Sequence, residues 1–232
     1  FWSSTTDYIS RFIYTDTEPY AYVLSMFNGC IGSWKKNSAS LHLSGPHYSK
    51  YYVIGVRTAS QGVIKLPKTG QTKKYHVGDD GALLLGVTIP KPRFIDNGNG
   101  TMTDRLTGLM WEKKPSNKNF NWNDAFNRIK ELNLNRFGGY NDWRLPNIRE
   151  LLSLVNYETP LEKILKNEGF QFSCLNKYWS NTTETGRIEK DIAKIPISGF
   201  AWYLYISNGA IESRLKVNTE STLKVFAVRG GS

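Results

Sequence analysis

Residues 178–183 read YWSNTT, and residues 1–6 read FWSSTT. The two phrases open segments that run in parallel. After the first comes Ala21-Tyr22-Val23-Leu24-Ser25-Met26-Phe27-Asn28-Gly29. After the second comes Ala201-Trp202-Tyr203-Leu204-Tyr205-Ile206-Ser207-Asn208-Gly209. Both are aromatic and β-branched runs of the kind that fits a strand, and both end in Asn-Gly. That dipeptide tolerates positive φ at both central positions of a type I′ turn, so it predicts a tight hairpin in each segment. Each segment then closes on a strand ending in Val-Arg, Tyr52-Val53-Ile54-Gly55-Val56-Arg57 and Lys224-Val225-Phe226-Ala227-Val228-Arg229. Order, turn chemistry and endings agree, which predicts an internal duplication.

The second segment is preceded by a hairpin and two helical patterns; the first begins at Phe1. The expected organisation is therefore the C-terminal half of a first repeat over 1–59, an ordered connector over 60–92 and a complete repeat over 93–232. The connector is punctuated by Gly78-Asp79-Asp80-Gly81, and its apolar residues Val63, Ile64, Leu83, Leu84 and Leu85 are expected to pack against a neighbour. Half a repeat leaves strand edges to be covered. Two origins for the missing half stay open: cleavage from a precursor, or supply by a neighbouring chain through self-association. With no basic-then-apolar signal peptide and a first residue that already reads as strand, the expectation is a removed leader or a start inside a longer precursor.

Composition sets the class. Apolar residues make up 40% of the 232 and aromatic residues 13%, enough for a sizeable core and unlike a disordered chain. No apolar run approaches the roughly 18 residues of a membrane-spanning helix. The net charge of +10 is spread along the chain rather than packed into one tail, and it raises affinity for polyanions generally. Cys30 and Cys174 are too few for a zinc site or a disulfide framework. They can form one bridge or sit as two small buried apolar residues, and sequence leaves both open.

Within 93–232, alternating apolar residues flank Asn97-Gly98-Asn99-Gly100, which predicts a hairpin, with Leu109-Met110-Trp111 on the next strand. The Asp and Asn density around Asp96 raises the question of calcium. The spacing lacks the alternate oxygen ligands and distal Glu of an EF-hand loop, and Asx-turn chemistry accounts for the same residues. Asn121 is placed to cap a helix whose inward face is Trp122, Ala125, Phe126, Ile129 and Leu132. Asn147 and Glu150 have capping-box spacing, with Ile148, Leu151, Leu152 and Val155 as the inward stripe. Just ahead, Arg144 stands between Trp143 and Leu145 with Asp142 and Glu150 near in sequence. It can hold an anion or form an ion pair that pins the helix entrance.

The runs RFIDNGNGTMTDRLTGLMW, NWNDAF, GGYNDWRLPNIRELLSLV, KYWSNTT, AWYLYISNG and FAVRG together resemble the Lcl C-terminal domain family, named for a collagen-like bacterial surface adhesin. The resemblance covers 93–232, and 1–59 is similar to the back half of the same domain. It implies an α+β, C-type-lectin-like domain of antiparallel strands and two packed helices, here preceded by a β-rich half domain. It also implies an exported protein at the bacterial surface or outside the cell, in a family whose named adhesin binds sulfated polysaccharides.

Catalysis is not expected. The three histidines, His42, His47 and His76, all precede the complete repeat, and no carboxylate pair stands out for acid–base work. No cofactor and no metal site is expected. Lys and Arg interleaved with aromatic residues suit an anionic glycan, with cations for sulfate or carboxylate and flat rings for sugar faces. The candidate binding residues are Trp34, Lys35 and Lys36; Lys73 and Lys74 beside Tyr75; Lys113 and Lys114 after Trp111; and Arg144. Specific nucleic-acid binding fits poorly, because no recognition helix is visible. The rival reading is a structural subunit of a surface filament, completed by strand or domain complementation between chains.

Overall fold

The structure, a computed structural model, describes residues 2–7, 20–24, 31–35, 66–171, 177–185, 199–207, 209–217 and 222–231, the first three of these by their backbone. Cys30, Cys174, His42, His47, Lys36, Val63 and Ile64 lie outside the described residues. The chain forms two compact units. One comprises Phe1–Thr88 with Asn156–Thr159, the other Ile89–Val155 with Pro160–Ser232.

In the first unit, β1 (Trp2–Asp7), β2 (Tyr20–Leu24) and β3 (Ile31–Lys35) pair antiparallel in sequence order. Further along, Asp79 caps the single helical turn α1 (Asp80–Leu83). Its buried carboxylate accepts from the backbone N–H groups of Tyr75, His76 and Ala82 at 2.8, 3.0 and 2.9 Å. A Cβ on Gly81 would stand 2.0 Å from the Lys73 carbonyl oxygen, so the turn requires glycine. Leu83, Leu84 and Leu85 do not pack as expected; they are exposed, because the capped turn is held by its polar loop rather than by an apolar face.

The second unit opens with β4 (Phe94–Asp96), β5 (Thr101–Asp104) and β6 (Met110–Glu112), paired as an antiparallel meander. The helix α2 (Trp122–Leu134) follows, with Asn121 Oδ1 accepting from Asp124 N at 2.9 Å. The helix α3 (Ile148–Ser153) carries the complete Asn147/Glu150 capping box. A helix that the patterning argument passed over, α4 (Leu161–Asn167), comes next. The sequence held its signal: Pro160 at the start, Leu161, Ile164 and Leu165 at helical spacing, and Gly169 after the end with φ +98°. The strands β7 (Lys177–Thr183), β8 (Phe200–Tyr205) and β9 (Ala210–Leu215) form an antiparallel ribbon, and β10 (Val228–Arg229) pairs with β6. The result is a mixed fold of antiparallel sheets with four helices among the described residues. Among them no helix is long and apolar enough to cross a membrane.

The two ribbons share one register. Trp2 faces Val23 and Thr6 faces Ala21 across a bulge; Trp179 faces Tyr203 and Thr183 faces Ala201 across the matching bulge. The second hairpin repeats the first pair for pair, Leu24 with Ile31 and Tyr22 with Ser33 against Leu204 with Ile211 and Trp202 with Ser213. The turn of the second ribbon is not the two-residue type I′ turn expected from Asn-Gly. Tyr205 pairs with Ala210, leaving residues 206–209 as a four-residue connection in which Gly209 N donates to Tyr205 O and Gly209 takes φ +70°. The corresponding turn of the first ribbon lies outside the described residues.

Alternation along 223–228 fills two cores at once. Leu223, Val225 and Ala227 face α2 together with Trp143, Trp179 and Tyr203. Phe226 points the other way, into the rings of Trp111, Tyr178 and Phe170 at 4.7, 5.7 and 5.9 Å. On α3 the buried positions are Leu151 and, just past the helix end, Leu154 and Val155; Ile148 and Leu152 are only half-buried, because the helix stops at Ser153 and the inward stripe shifts.

Candidate functional site

The site grows from the β4–β5 turn. Asp96 Oδ1 accepts from Gly98 N at 3.0 Å, the Asx turn expected from this composition. Asn99 holds the turn against the short helical turn Phe137–Gly139, donating from Nδ2 to the Gly138 carbonyl at 2.8 Å. Glycine is required at two points of this junction. A Cβ on Gly138 would meet Thr101 Cγ2 at 2.7 Å, and one on Gly100 would press on the Phe137 ring at 3.2 Å. Beyond β6 the chain stays tied to the turn, with Lys113 N donating to Gly100 O at 2.8 Å and Gln171 N to Lys113 O at 3.0 Å.

These contacts frame an open cleft of about 490 Å³. Asp96, Gly98, Gly100 and Phe137 line one part of it; Glu112, Lys113, Lys114 and Gln171 line the rest. Its charges are unequally satisfied. Lys113 Nζ lies 2.5 Å from Asp96 Oδ2. That bond, followed by the Gly98 N–H, holds the Asp96 carboxyl below its ordinary pKa. Lys114 is exposed and has no ion pair among the described residues.

Glu112 is the unusual member. It is 2% exposed, and its Oε1 accepts from Arg128 at 2.7 Å. Its Oε2 is buried with no hydrogen-bond partner. Burial pushes the carboxyl up to about 7, with the Arg128 guanidinium and a backbone hydrogen bond from Ala227 pulling the other way. An orphaned buried acceptor costs on the order of 1–3 kcal/mol, so this oxygen is a place where something can be gained. Nothing in the sequence points to it. One Glu before two lysines reads as a solvated charge until the fold buries it.

The other sequence candidates are placed elsewhere. Arg144 is occupied: NH1 and NH2 grip Glu150 at 2.8 and 2.7 Å, and NH2 also donates to the Gly230 carbonyl at 2.6 Å. It pins the entrance of α3 to the chain after β10. Asp142 does not pair with it; it receives Arg229, which also lies 3.7 Å over the Tyr140 ring. Lys73 and Lys74 are exposed in the first unit, Lys73 Nζ standing 5.0 Å from the Tyr75 ring centroid. Trp34 and Lys35 are described only as backbone in β3, facing Ala21 and Tyr20, and Lys36 lies outside the described residues. Of the sequence candidates, the cleft brings together Lys113 and Lys114 alone. Among the described residues no three His, Cys, Asp or Glu side chains gather as a metal site, and the Asp96 oxygens are spent on Gly98 and Lys113.

A family model described as the Lcl C-terminal domain matches residues 100–229. No curated protein and no solved structure matches the chain.

Proposed function

Because the chain belongs to the Lcl C-terminal domain family, we propose that it is an exported, non-enzymatic adhesive module that holds an anionic polysaccharide at the cleft beside the β4–β5 turn. The family is a surface, adhesin-type domain; export, ligand and mode of binding are the proposal. The observation that carries it is Lys114, a cation without an ion pair among the described residues, in a cleft that also offers an aromatic ring, Phe137. A cation for sulfate or carboxylate beside a ring for the sugar face is the minimal equipment for an acidic glycan. Of the remaining charges of the cleft, Asp96 is taken by Lys113, which leaves Lys114 as the cation open to a ligand. The lectin-like character of the fold is part of the same reading. So is the tandem arrangement, supported by the shared bulge and register of the two ribbons.

The test is retention on a sulfated-polysaccharide column in a salt series, run beside a cation-exchange resin of equal charge density. Tighter retention on the polysaccharide, persisting above about 0.15 M salt where the Debye length is roughly 8 Å, is expected. Equal retention on both would reduce the +10 to nonspecific charge. Release of new reducing ends from the polysaccharide would overturn the non-enzymatic part.

A further inference from the structure

Six of the nine large apolar side chains that stand exposed among the described residues fall in one stretch of the first unit, 66–87: Leu66, Val77, Leu83, Leu84, Leu85 and Val87. Scattered singly, such residues need no explanation; gathered on one loop, they mark a surface that something covers. The loop is closed by its own bonds. Lys68 N donates to Val87 O at 2.9 Å and Val87 N to Leu66 O at 2.8 Å, which joins its two ends. The Lys73 carbonyl lies against Gly81, and the Asp79 cap gathers Tyr75, His76 and Ala82. One capped turn therefore presents the three leucines together with Lys73 and Lys74.

Charge decides what covers this surface. The nearby acids are turned onto backbone and hydroxyl donors: Asp79 onto three N–H groups, Asp80 onto the Thr69 hydroxyl, and Glu158 onto Thr72 N and Oγ1 at 2.7 and 2.8 Å. Lys73 and Lys74 stand exposed. We infer that this loop docks on an anionic lipid surface. Leu83, Leu84 and Leu85 enter the apolar edge of the bilayer, and Lys73 and Lys74 lie against the phosphate headgroups. Apolar tips beside exposed cations divide the contacts of an interfacial segment between acyl chains and headgroups in this way. A second copy is the poorer occupant, because two such loops would bring two pairs of lysines to one interface while the acids stay committed. The inference concerns the first unit and does not rest on the glycan reading.

The test is co-sedimentation of the full chain with phosphatidylcholine vesicles, with and without phosphatidylglycerol, at about 0.15 M salt. Binding to the phosphatidylglycerol vesicles and not to phosphatidylcholine alone is expected. The variant Leu83→Ser/Leu84→Asn/Leu85→Ser keeps the net charge of +10. Its asparagine tolerates the left-handed backbone of Leu84, φ +50°. It is expected to bind at least roughly 10-fold more weakly. Lys73→Ala/Lys74→Ala should weaken binding about 5-fold per lysine. Lys130→Ala/Lys163→Ala, which removes two exposed lysines of the second unit, should change it less than about 2-fold. A leucine variant that binds as tightly as the unaltered chain overturns the inference and leaves only net charge. Equal losses from the two lysine pairs, or equal binding to both kinds of vesicle, overturn it as well. Binding to neither vesicle also overturns it, and a dimer that the leucine variant loses would then assign the surface to a second copy. The vesicles carry no polysaccharide, so each of these failures leaves the glycan reading standing.

Discussion

The bulge at Ser180–Thr182 and the cleft beside the β4–β5 turn are both polar corners where a strand meets its surroundings, yet their groups are satisfied very differently. At the bulge, Ser180 Oγ donates to Trp202 O at 2.7 Å, and Ser180 O receives the Trp122 indole N–H at 2.8 Å. Asn181 N donates to Pro146 O at 2.9 Å, and Thr182 Oγ1 receives Ile148 N at 3.1 Å. Those bonds seat the starts of α2 and α3 on β7. In the cleft, Lys114 has no ion pair among the described residues and Glu112 Oε2 has no partner. A bulge whose polar groups are paired does structural work; a wall with an exposed cation free of an ion pair is equipped to bind. The same contrast separates Arg144, with its three bonds, from Lys114.

The sharpest way to break this contrast is at the bulge. Trp179 is fully buried and its indole N–H donates to Phe120 O at 2.8 Å. Trp179→Ala is expected to cost roughly 3–5 kcal/mol of stability, read by urea unfolding, with no change in the glycan affinity of the protein that stays folded. A cost below about 1 kcal/mol would mean that the bulge corner does not seat the helices. Trp2 holds the matching place in the first ribbon, facing Val23 as Trp179 faces Tyr203. If the ribbons are copies, Trp2→Ala should lower the stability of its own unit by a similar amount.

Next in size is the pH response of the cleft wall. The Glu112 carboxyl is raised by burial from 4.5 to about 7, so the folded protein holds this proton more tightly than the unfolded chain. Its contribution to stability is complete below about pH 4.5 and is lost as pH rises through 7. The expected loss is of order 3 kcal/mol for this group alone. It is read as the difference between the unaltered chain and Glu112→Gln, whose stability lacks this slope, in urea unfolding from pH 5 to 8. Parallel curves for the two proteins would show that Glu112 is not desolvated and would close the contrast between the corners.

What the sequence made legible follows from what is local. The Asn121 cap, the Asn147/Glu150 capping box and the Asx turn at Asp96 are interactions within four residues, and each forms where its spacing places it. The ribbons were legible because aromatic and β-branched runs follow FWSSTT and YWSNTT alike, whereas the bulge they share was not read from the sequence. The Asn208-Gly209 turn was misread, because pairing stops at Tyr205–Ala210 and the loop takes two residues more than the dipeptide suggests. Glu112 was illegible. Its burial depends on Arg128 from α2 and on the strand after Leu223, contacts that no spacing within MWEKK encodes. In the cleft long-range packing meets a local turn, so the local half, Lys113 and Lys114, could be named in advance and the buried half could not.

The smallest expected effect is also the one that separates the two kinds of corner most cleanly. Lys114 touches no ion-pair partner among the described residues, so Lys114→Ala should leave the melting temperature unchanged while weakening retention on the sulfated polymer. An exposed charge contact is worth about 0–1 kcal/mol, so the loss should be at most about 5-fold and should shrink as salt rises. Arg144→Ala should do the reverse. It strands Glu150 and frees the Gly230 carbonyl, so it lowers stability while the retention of the folded protein holds. If Arg144→Ala instead cost retention at full stability, its bonds to Glu150 and Gly230 would have to open for the ligand, and saturation would no longer mark a structural corner in this protein.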